Sequence, residues 1–126
     1  MPTVLIVDDH DIVRQGVRHI LETEAEWQVV GEATDGKEAL RLNKELKPDL
    51  IVMDITMPVM GGLEATTEIT KANPSSKILI LSMHEGSMLV KTVQTAGAKG
   101  LVTKSKAASQ LLAALQKINS GDTYFH

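Results

Sequence analysis

Two periodicities alternate along the chain. The run Val4-Leu5-Ile6-Val7 is apolar without a break and three of its residues are β-branched, the pattern of a strand buried on both faces. "DIVRQGVRHILETE" follows, placing Ile12, Val13, Val17, Ile20 and Leu21 on one helical stripe with Arg14, Arg18 and Glu22 outside it. "WQVVGEA" reads as a strand, and "DGKEALRLNKEL" as a helix that stops before Pro48. "LIVMD" is a second doubly buried strand. The turn-rich "ITMPVMGG" leads to helical "LEATTEITKAN", and the turn Asn73-Pro74-Ser75-Ser76 leads to the strand "KILILS". "GSMLVKTVQTAG" is helical with Gly97 as its stop, "GLVTK" is a short strand, and "KAASQLLAALQKINSG" is an amphipathic helix closed by Gly121.

Five strands alternating with five helices predict an α/β fold with a doubly wound, five-stranded parallel sheet, flavodoxin-like (βα)5. The expected strand order is 2-1-3-4-5. Asp8 and Asp9 then end the first strand, Asp54 the third, Ser82 the fourth and Lys104 the fifth. In that order the first and third strands are neighbours at the switch point, where ligands bind beyond the carboxyl ends. Asp8, Asp9 and Asp54 meet on one rim. Ser82 stands one strand spacing from Asp54, roughly 5 Å, and Lys104 two spacings, roughly 10 Å. The short hydroxyl is on the near strand and the long ammonium stem on the far one, as reach demands.

Composition narrows what such a rim serves. The 126 residues suit one domain, and 43% hydrophobic content is that of a globular chain. Thirteen Lys and Arg against sixteen Asp and Glu give a net charge of −3, which argues against contact with a phosphate backbone by this segment. Trp27, Tyr124 and Phe125 are the whole aromatic complement, too few for a base-stacking platform. Cysteine is absent, so thiolate chemistry is excluded. No apolar run approaches the roughly 20 residues of a membrane helix, and no basic segment precedes the first apolar run. The expected compartment is the cytoplasm.

Three crowded carboxylates resist full ionisation unless a cation intervenes. Hard oxygen ligands favour Mg²⁺ or Mn²⁺. A lysine and a hydroxyl opposite them suit the oxygens of a phosphoryl group, and a carboxylate flanked by metal and lysine can attack phosphorus to give an acyl phosphate. Taken singly, each residue has an ordinary structural reading: Asp9 or Asp11 as a helix cap and first-turn acid, Asp54 as a turn residue, Lys104 as a solvated lysine. The agreement of four strand ends carries the argument.

With these residues in view, the chain resembles the receiver domain of two-component response regulators over essentially its whole length. The resemblance rests on "VLIVDDH", "PDLIVMDITMPVMGG", "ILILSMH" and "AGAKGLVTK". The doublet followed by His10, Ser82 and the ending "INSGDTYFH" look most like the NarL/FixJ group, whose receivers join a LuxR-type helix-turn-helix output. The resemblance implies a receiver domain over residues 1–120, with 121–126 a tail or the start of a linker to an output domain absent from this chain. It implies that Asp54 accepts phosphate from a sensor histidine kinase or a small phosphodonor. Asp9 and Asp54 would ligate Mg²⁺ through side chains, Thr56 through its backbone carbonyl and Asp8 through water. Ser82 and Lys104 would bind the phosphoryl group, with Thr56 and His84 bordering the attacking water and setting its lifetime. It leaves a homodimer open and assigns DNA contact to a separate domain.

Two departures stand out. Leu101 occupies the position, three before the lysine, where many receivers carry an aromatic switch residue; it has no hydroxyl and less surface to relocate. Ser105 follows the lysine where many receivers have proline, so no cis-proline can form there.

Some signals point elsewhere. "GEATDGKE" nearly spells a phosphate-binding loop, but Glu38 replaces its Ser or Thr, and Glu32 and Asp35 put negative charge where phosphates would sit; a strand-to-helix turn is the better account. His10, His19, His84 and His126 lack metal-ligand spacing, His10 reading as a loop residue beside the acidic pair. The Tyr124-Phe125 pair either folds back on the domain or begins a linker. Two competing functions remain: a receiver-like interaction module that does not switch, motivated by Leu101, and a Mg²⁺-dependent phosphohydrolase of the haloacid-dehalogenase type. The latter wants an aspartate two positions after the first, where this chain has Thr56.

Overall fold

The structure, a computed structural model, describes residues 1–125. The strands are β1 (Thr3–Val7), β2 (Gln28–Ala33), β3 (Leu50–Asp54), β4 (Ile78–Ser82) and β5 (Gly100–Thr103). The helices are α1 (Asp11–Glu22), α2 (Gly36–Leu46), α3 (Gly62–Ala72), α4 (Ser87–Ala96) and α5 (Ala107–Asn119). All strand pairs are parallel and the order is β2-β1-β3-β4-β5, as the alternation of elements predicts.

The apolar runs are explained by the two layers that cover the sheet. Successive side chains point to opposite faces. Val4, Ile6, Leu50 and Val52 pack on one face with Val17 and Leu21 of α1 and Leu111 and Leu115 of α5. Leu5, Val7, Ile51 and Met53 pack on the other with Ala39 of α2, Ala65 and Ile69 of α3, and Val93 of α4. Every residue of β3 and β4 is buried, whereas β2, at the sheet edge, is mostly half-buried.

The structure revises some local expectations. Ile12 is 81% exposed rather than part of the packed stripe of α1. It lies five residues before Val17, which at 3.6 residues per turn is about 140° away from it around the helix. Lys104 leaves the line of β5 and opens a single 3₁₀ turn, Lys104–Lys106, so that α5 begins at Ala107.

The near-miss phosphate loop is a helix cap. Asp35 accepts the Glu38 N–H at 2.9 Å, and Glu38 Oε1 accepts the Thr34 N–H at 3.0 Å, which satisfies donors at the start of α2 with side chains. The Gly36 N–H donates to the Met60 carbonyl at 2.8 Å, leaving the loop no role as a phosphate cradle.

After α5 the chain reverses at Gly121, whose φ of 101° suits glycine. Tyr124 then returns to the free edge of β5: its carbonyl accepts the Leu101 N–H at 2.8 Å and its N–H donates to the Lys99 carbonyl at 2.9 Å. The described part of the tail thus folds back on the domain; His126 lies outside the described residues. Among the described residues no helix is long and apolar enough to cross a membrane.

Leu21 is fully buried and Ile12 is not. Leu21→Ala is expected to cost about 2–5 kcal/mol of unfolding free energy and Ile12→Ser less than about 0.5 kcal/mol, measured by denaturant titration.

Candidate functional site

The carboxyl ends of β1, β3, β4 and β5 carry the polar residues that their buried stems do not. Asp8, Asp54 and Ser82 are all at most 5% exposed. Asp9, Asp54, Thr56, Ser82, His84 and Lys104 line one cleft of about 470 Å³. Thr56 and His84 are exposed on its lip. Leu101 is not brought to this cleft. It is 5% exposed and lies along a neighbouring groove with Val90 of α4 and Phe125 of the tail.

Lys104 organises the charges. Its Nζ is 3.0 Å from Asp8 Oδ2 and 3.2 Å from Asp54 Oδ1. Asp54 Oδ1 also accepts the Ile55 N–H at 2.9 Å. Both contacts of Asp54 fall on Oδ1, and among the described residues none falls on Oδ2. Burial, and then the charge of Asp8, push the Asp54 carboxyl above its usual range against the pull of Lys104. Burial works against the Lys104 ammonium, but hydrogen bonding and attraction from Asp8 and Asp54 outweigh it and hold its pKa above the ordinary value. Ser82 Oγ accepts the His84 N–H at 2.9 Å, leaving its own proton to be donated elsewhere.

The acidic doublet is held by its neighbours. Asp8 Oδ1 accepts the His10 N–H at 2.8 Å, and His10 Nδ1 stands 3.1 Å from Asp8 Oδ1 and 3.2 Å from Asp9 Oδ1. Arg14 donates through Nη1 to the Asp8 carbonyl at 2.7 Å, through Nη2 to Asp11 at 2.9 Å and through Nε to Glu32 at 2.9 Å. Arg18 shares Glu32 from the other side at 2.6 Å. Arg18 chiefly, with Arg14, holds the Glu32 carboxyl below the usual range despite the opposing effect of burial. Sequence reasoning placed Arg14 merely off the apolar stripe and His10 in a loop; neither reading foresaw these bonds.

The β3–α3 loop explains the "MPVMGG" segment. Val59 sits at a φ of 67°, and Met60 N–H donates to Pro58 O at 2.7 Å across it, a three-residue turn strained for a β-branched residue. Gly62 N–H bonds the Ile55 carbonyl at 2.7 Å. A Cβ on Gly62 would overlap the carbonyl oxygen of Asp54, so α3 can start this close to the end of β3 only from glycine.

A hard divalent cation fits these residues. Ligand atoms of Asp8, Asp9, His10 and Asp54 all lie within 4.8 Å of one another. Asp8 Oδ2 is buried and, apart from the nearby Lys104 ammonium, receives no well-aligned hydrogen bond. Carboxylate oxygens without thiolates are the donor set of Mg²⁺ or Mn²⁺.

A five-stranded parallel sheet with a buried aspartate, a hydroxyl and a lysine at its carboxyl edge, beside an acidic pair, defines a class of phosphoryl-handling α/β domains. The family model described as "Response regulator receiver domain" matches residues 4–116, and the chain belongs to that family. It is 40% identical over 124 residues to the response regulator UvrY of Escherichia coli K12, covering 98% of this chain and 57% of UvrY. It is 38% identical over 123 residues to the transcriptional regulatory protein DegU of Brevibacillus brevis, covering 98% of this chain and 52% of DegU. The chain therefore spans little more than half the length of these relatives. Among solved structures, a LuxR-family two-component response regulator from Aurantimonas sp. SI85-9A1 superposes with a TM-score of 0.94 at 42% identity, over 98% of this chain and 89% of that one. The isolated REC domain of RcsB from Salmonella enterica serovar Typhimurium, in the presence of phosphomimetic BeF3-, superposes with a TM-score of 0.89 at 28% identity, over 99% and 93%.

The raised pKa of Asp54 has a signed consequence. The folded protein keeps its proton to higher pH than the unfolded chain, so stability falls as pH rises from the ordinary value of 3.8 through the folded one. Above both values the cost is complete. Asp54→Asn is expected to raise the denaturation midpoint at pH 7, and the gain should shrink below pH 3.8. Gly62→Ala is expected to destabilise by at least about 1–3 kcal/mol in the same assay, because the added methyl strikes backbone.

Proposed function

We propose that this chain is a phosphoacceptor signalling domain that takes a phosphoryl group on Asp54 from a sensor histidine kinase and changes its partner or dimer surface in response. The observation that carries the reading is the placement of Asp54: one carboxylate oxygen pinned by Lys104 and the Ile55 amide, the other without a partner among the described residues, in the lining of an open cleft. The free oxygen is the nucleophile. As it bonds to phosphorus, the phosphorus–nitrogen bond of the phosphohistidine breaks and the imidazole leaves with that electron pair, giving an acyl phosphate.

Lys104 is placed to pair with a phosphoryl oxygen, and the Ser82 hydroxyl to donate to another. Asp9 and Asp54 would hold Mg²⁺ through side chains, Thr56 through its carbonyl and Asp8 through water; Mn²⁺ suits the same donors. A cation held there would supply neutralisation of phosphoryl charge and offset repulsion among the carboxylates. Thr56 and His84, on the lip, are placed to govern access of water to the acyl phosphate and so its lifetime. Self-phosphorylation from small donors and autodephosphorylation are the catalysis expected; the chain is otherwise a switch rather than an enzyme. The relatives' names include a transcriptional regulator, and their extra length supports a role in transcription through a DNA-binding domain outside this chain, in the cytoplasm. Residues 1–120 form the receiver unit in this reading. The phosphohydrolase alternative loses ground because Thr56 stands where its second aspartate belongs.

Intact-protein mass spectrometry after incubation with Mg²⁺ and acetyl phosphate tests the reading. One phosphoryl adduct is expected, dependent on metal and absent from Asp54→Asn. A folded protein that gains no adduct from acetyl phosphate or from a phosphorylated sensor kinase would leave the non-switching interaction module as the better account.

A further inference from the structure

We infer that Arg14 is a positioning residue for the acidic doublet and through it sets the affinity of the cleft for its divalent cation. The inference rests on the proposed metal-binding function and adds a residue that touches neither metal nor phosphoryl group.

The argument starts from the Asp8–Asp9 peptide. Asp8 N–H is tied to the Ala33 carbonyl of β2 at 3.0 Å, which ends the strand pairing at this residue. The Asp8 carbonyl, on the following peptide, is held at 2.7 Å by Arg14 Nη1. That peptide unit is planar, so fixing its oxygen fixes the direction in which the Cα of Asp9 leaves the strand. Asp9 needs this support. Its carboxylate is 28% exposed and its one side-chain partner among the described residues is the exposed imidazole of His10.

Arg14 is itself immobilised. Its side chain is 13% exposed, and two further N–H groups, on Nε and Nη2, bond Glu32 on β2 and Asp11 in the first turn of α1. An ammonium also has three donors, but all on one nitrogen; the guanidinium spreads its donors over Nε, Nη1 and Nη2 and so reaches acceptors on three separate segments. Arg18 is an internal contrast. It bonds the same Glu32 through two nitrogens but makes no contact with the doublet. Charge and position predict opposite signs. Removing a cation beside the site lessens repulsion of Mg²⁺ and tightens binding, whereas freeing the Asp8–Asp9 peptide weakens it.

The test is Mg²⁺ titration by isothermal calorimetry of the whole chain and its variants, with folding checked by thermal melting. Arg14→Lys keeps the charge but cannot span three acceptors, and it is expected to weaken Mg²⁺ binding about tenfold, at the lower end of the usual 10–100-fold cost of losing such support. Arg14→Ala is expected to weaken it at least as far, and Arg18→Ala by less than about twofold. If Arg14→Lys binds like the wild type, or Arg14→Ala binds more tightly, the residue acts only as a charge and the inference is wrong. Should Arg14→Ala not fold, Arg14→Lys alone decides. A wild-type chain that binds no Mg²⁺ would instead overturn the metal-binding reading, a different failure from one confined to the Arg14 variants.

Discussion

The constraint on which this structure turns is the burial of two carboxylates against one ammonium at the end of a parallel sheet. Asp8 and Asp54 are almost wholly withdrawn from water, and Lys104 reaches both. Burying a charge is costly unless it is paired. Here the pairing is incomplete by design of the count: two negative charges face one positive, with Asp9 adding a third acid at the rim. Burial first, and then the charge of Asp8, raise the Asp54 pKa against the pull of Lys104. A divalent cation held by Asp8, Asp9 and Asp54 would offset this excess of negative charge.

The strand order follows from this need as much as from helix packing. Asp8 and Asp54 can face each other only because β1 and β3 are adjacent, and Lys104 can reach Asp54 from two strands away and Asp8 from three only because its stem is long. Ser82 sits between, on β4, where a short side chain suffices. Glycine 62 completes the arrangement, since α3 must begin against the carbonyl of Asp54 itself. The ligand edge and the core are therefore parts of one solution: doubly buried strands hold Asp8, Asp54 and Ser82 at fixed spacing, and only Lys104 needs a long arm.

Much of this was legible in the chain. Unbroken apolar runs announce doubly buried strands, and the polar residue ending each run marks the edge where it emerges. What sequence could not reveal were contacts made sideways across the surface. Arg14 and Glu32 lie 18 positions apart and both fall on polar sides of their elements, where periodicity says only that a residue avoids the core. His10 caps nothing with its side chain and looks idle until the doublet folds around it. Ile12 is the opposite case: an apolar residue near the start of a helix belongs by type with the packed stripe, yet it lies across the helix from it and is exposed. Leu101 departs from the family pattern by sequence alone, but only the fold places it in a different groove from the acids.

That separation bears on how a charge arriving at Asp54 is felt elsewhere. β5 is common to three features: Lys104 follows its last residue, Leu101 faces the groove beside α4, and its outer edge is bonded to Tyr124. Its four residues are all buried and close-packed, so the strand has little room to deform along its length. A Cβ on Gly100 would stand 2.9 Å from the Tyr124 carbonyl, a measure of how tightly the tail lies against the strand. Compliance must then reside at the ends of the elements, in the exposed residues Met83 to Gly86 and in the turn that carries Lys104. Ser82 precedes the first of these segments and Lys104 opens the second. In the proposed reading, the two groups that would grip a phosphoryl oxygen thus stand at the margins of the rigid sheet, where a pull would pass to loops rather than into the core.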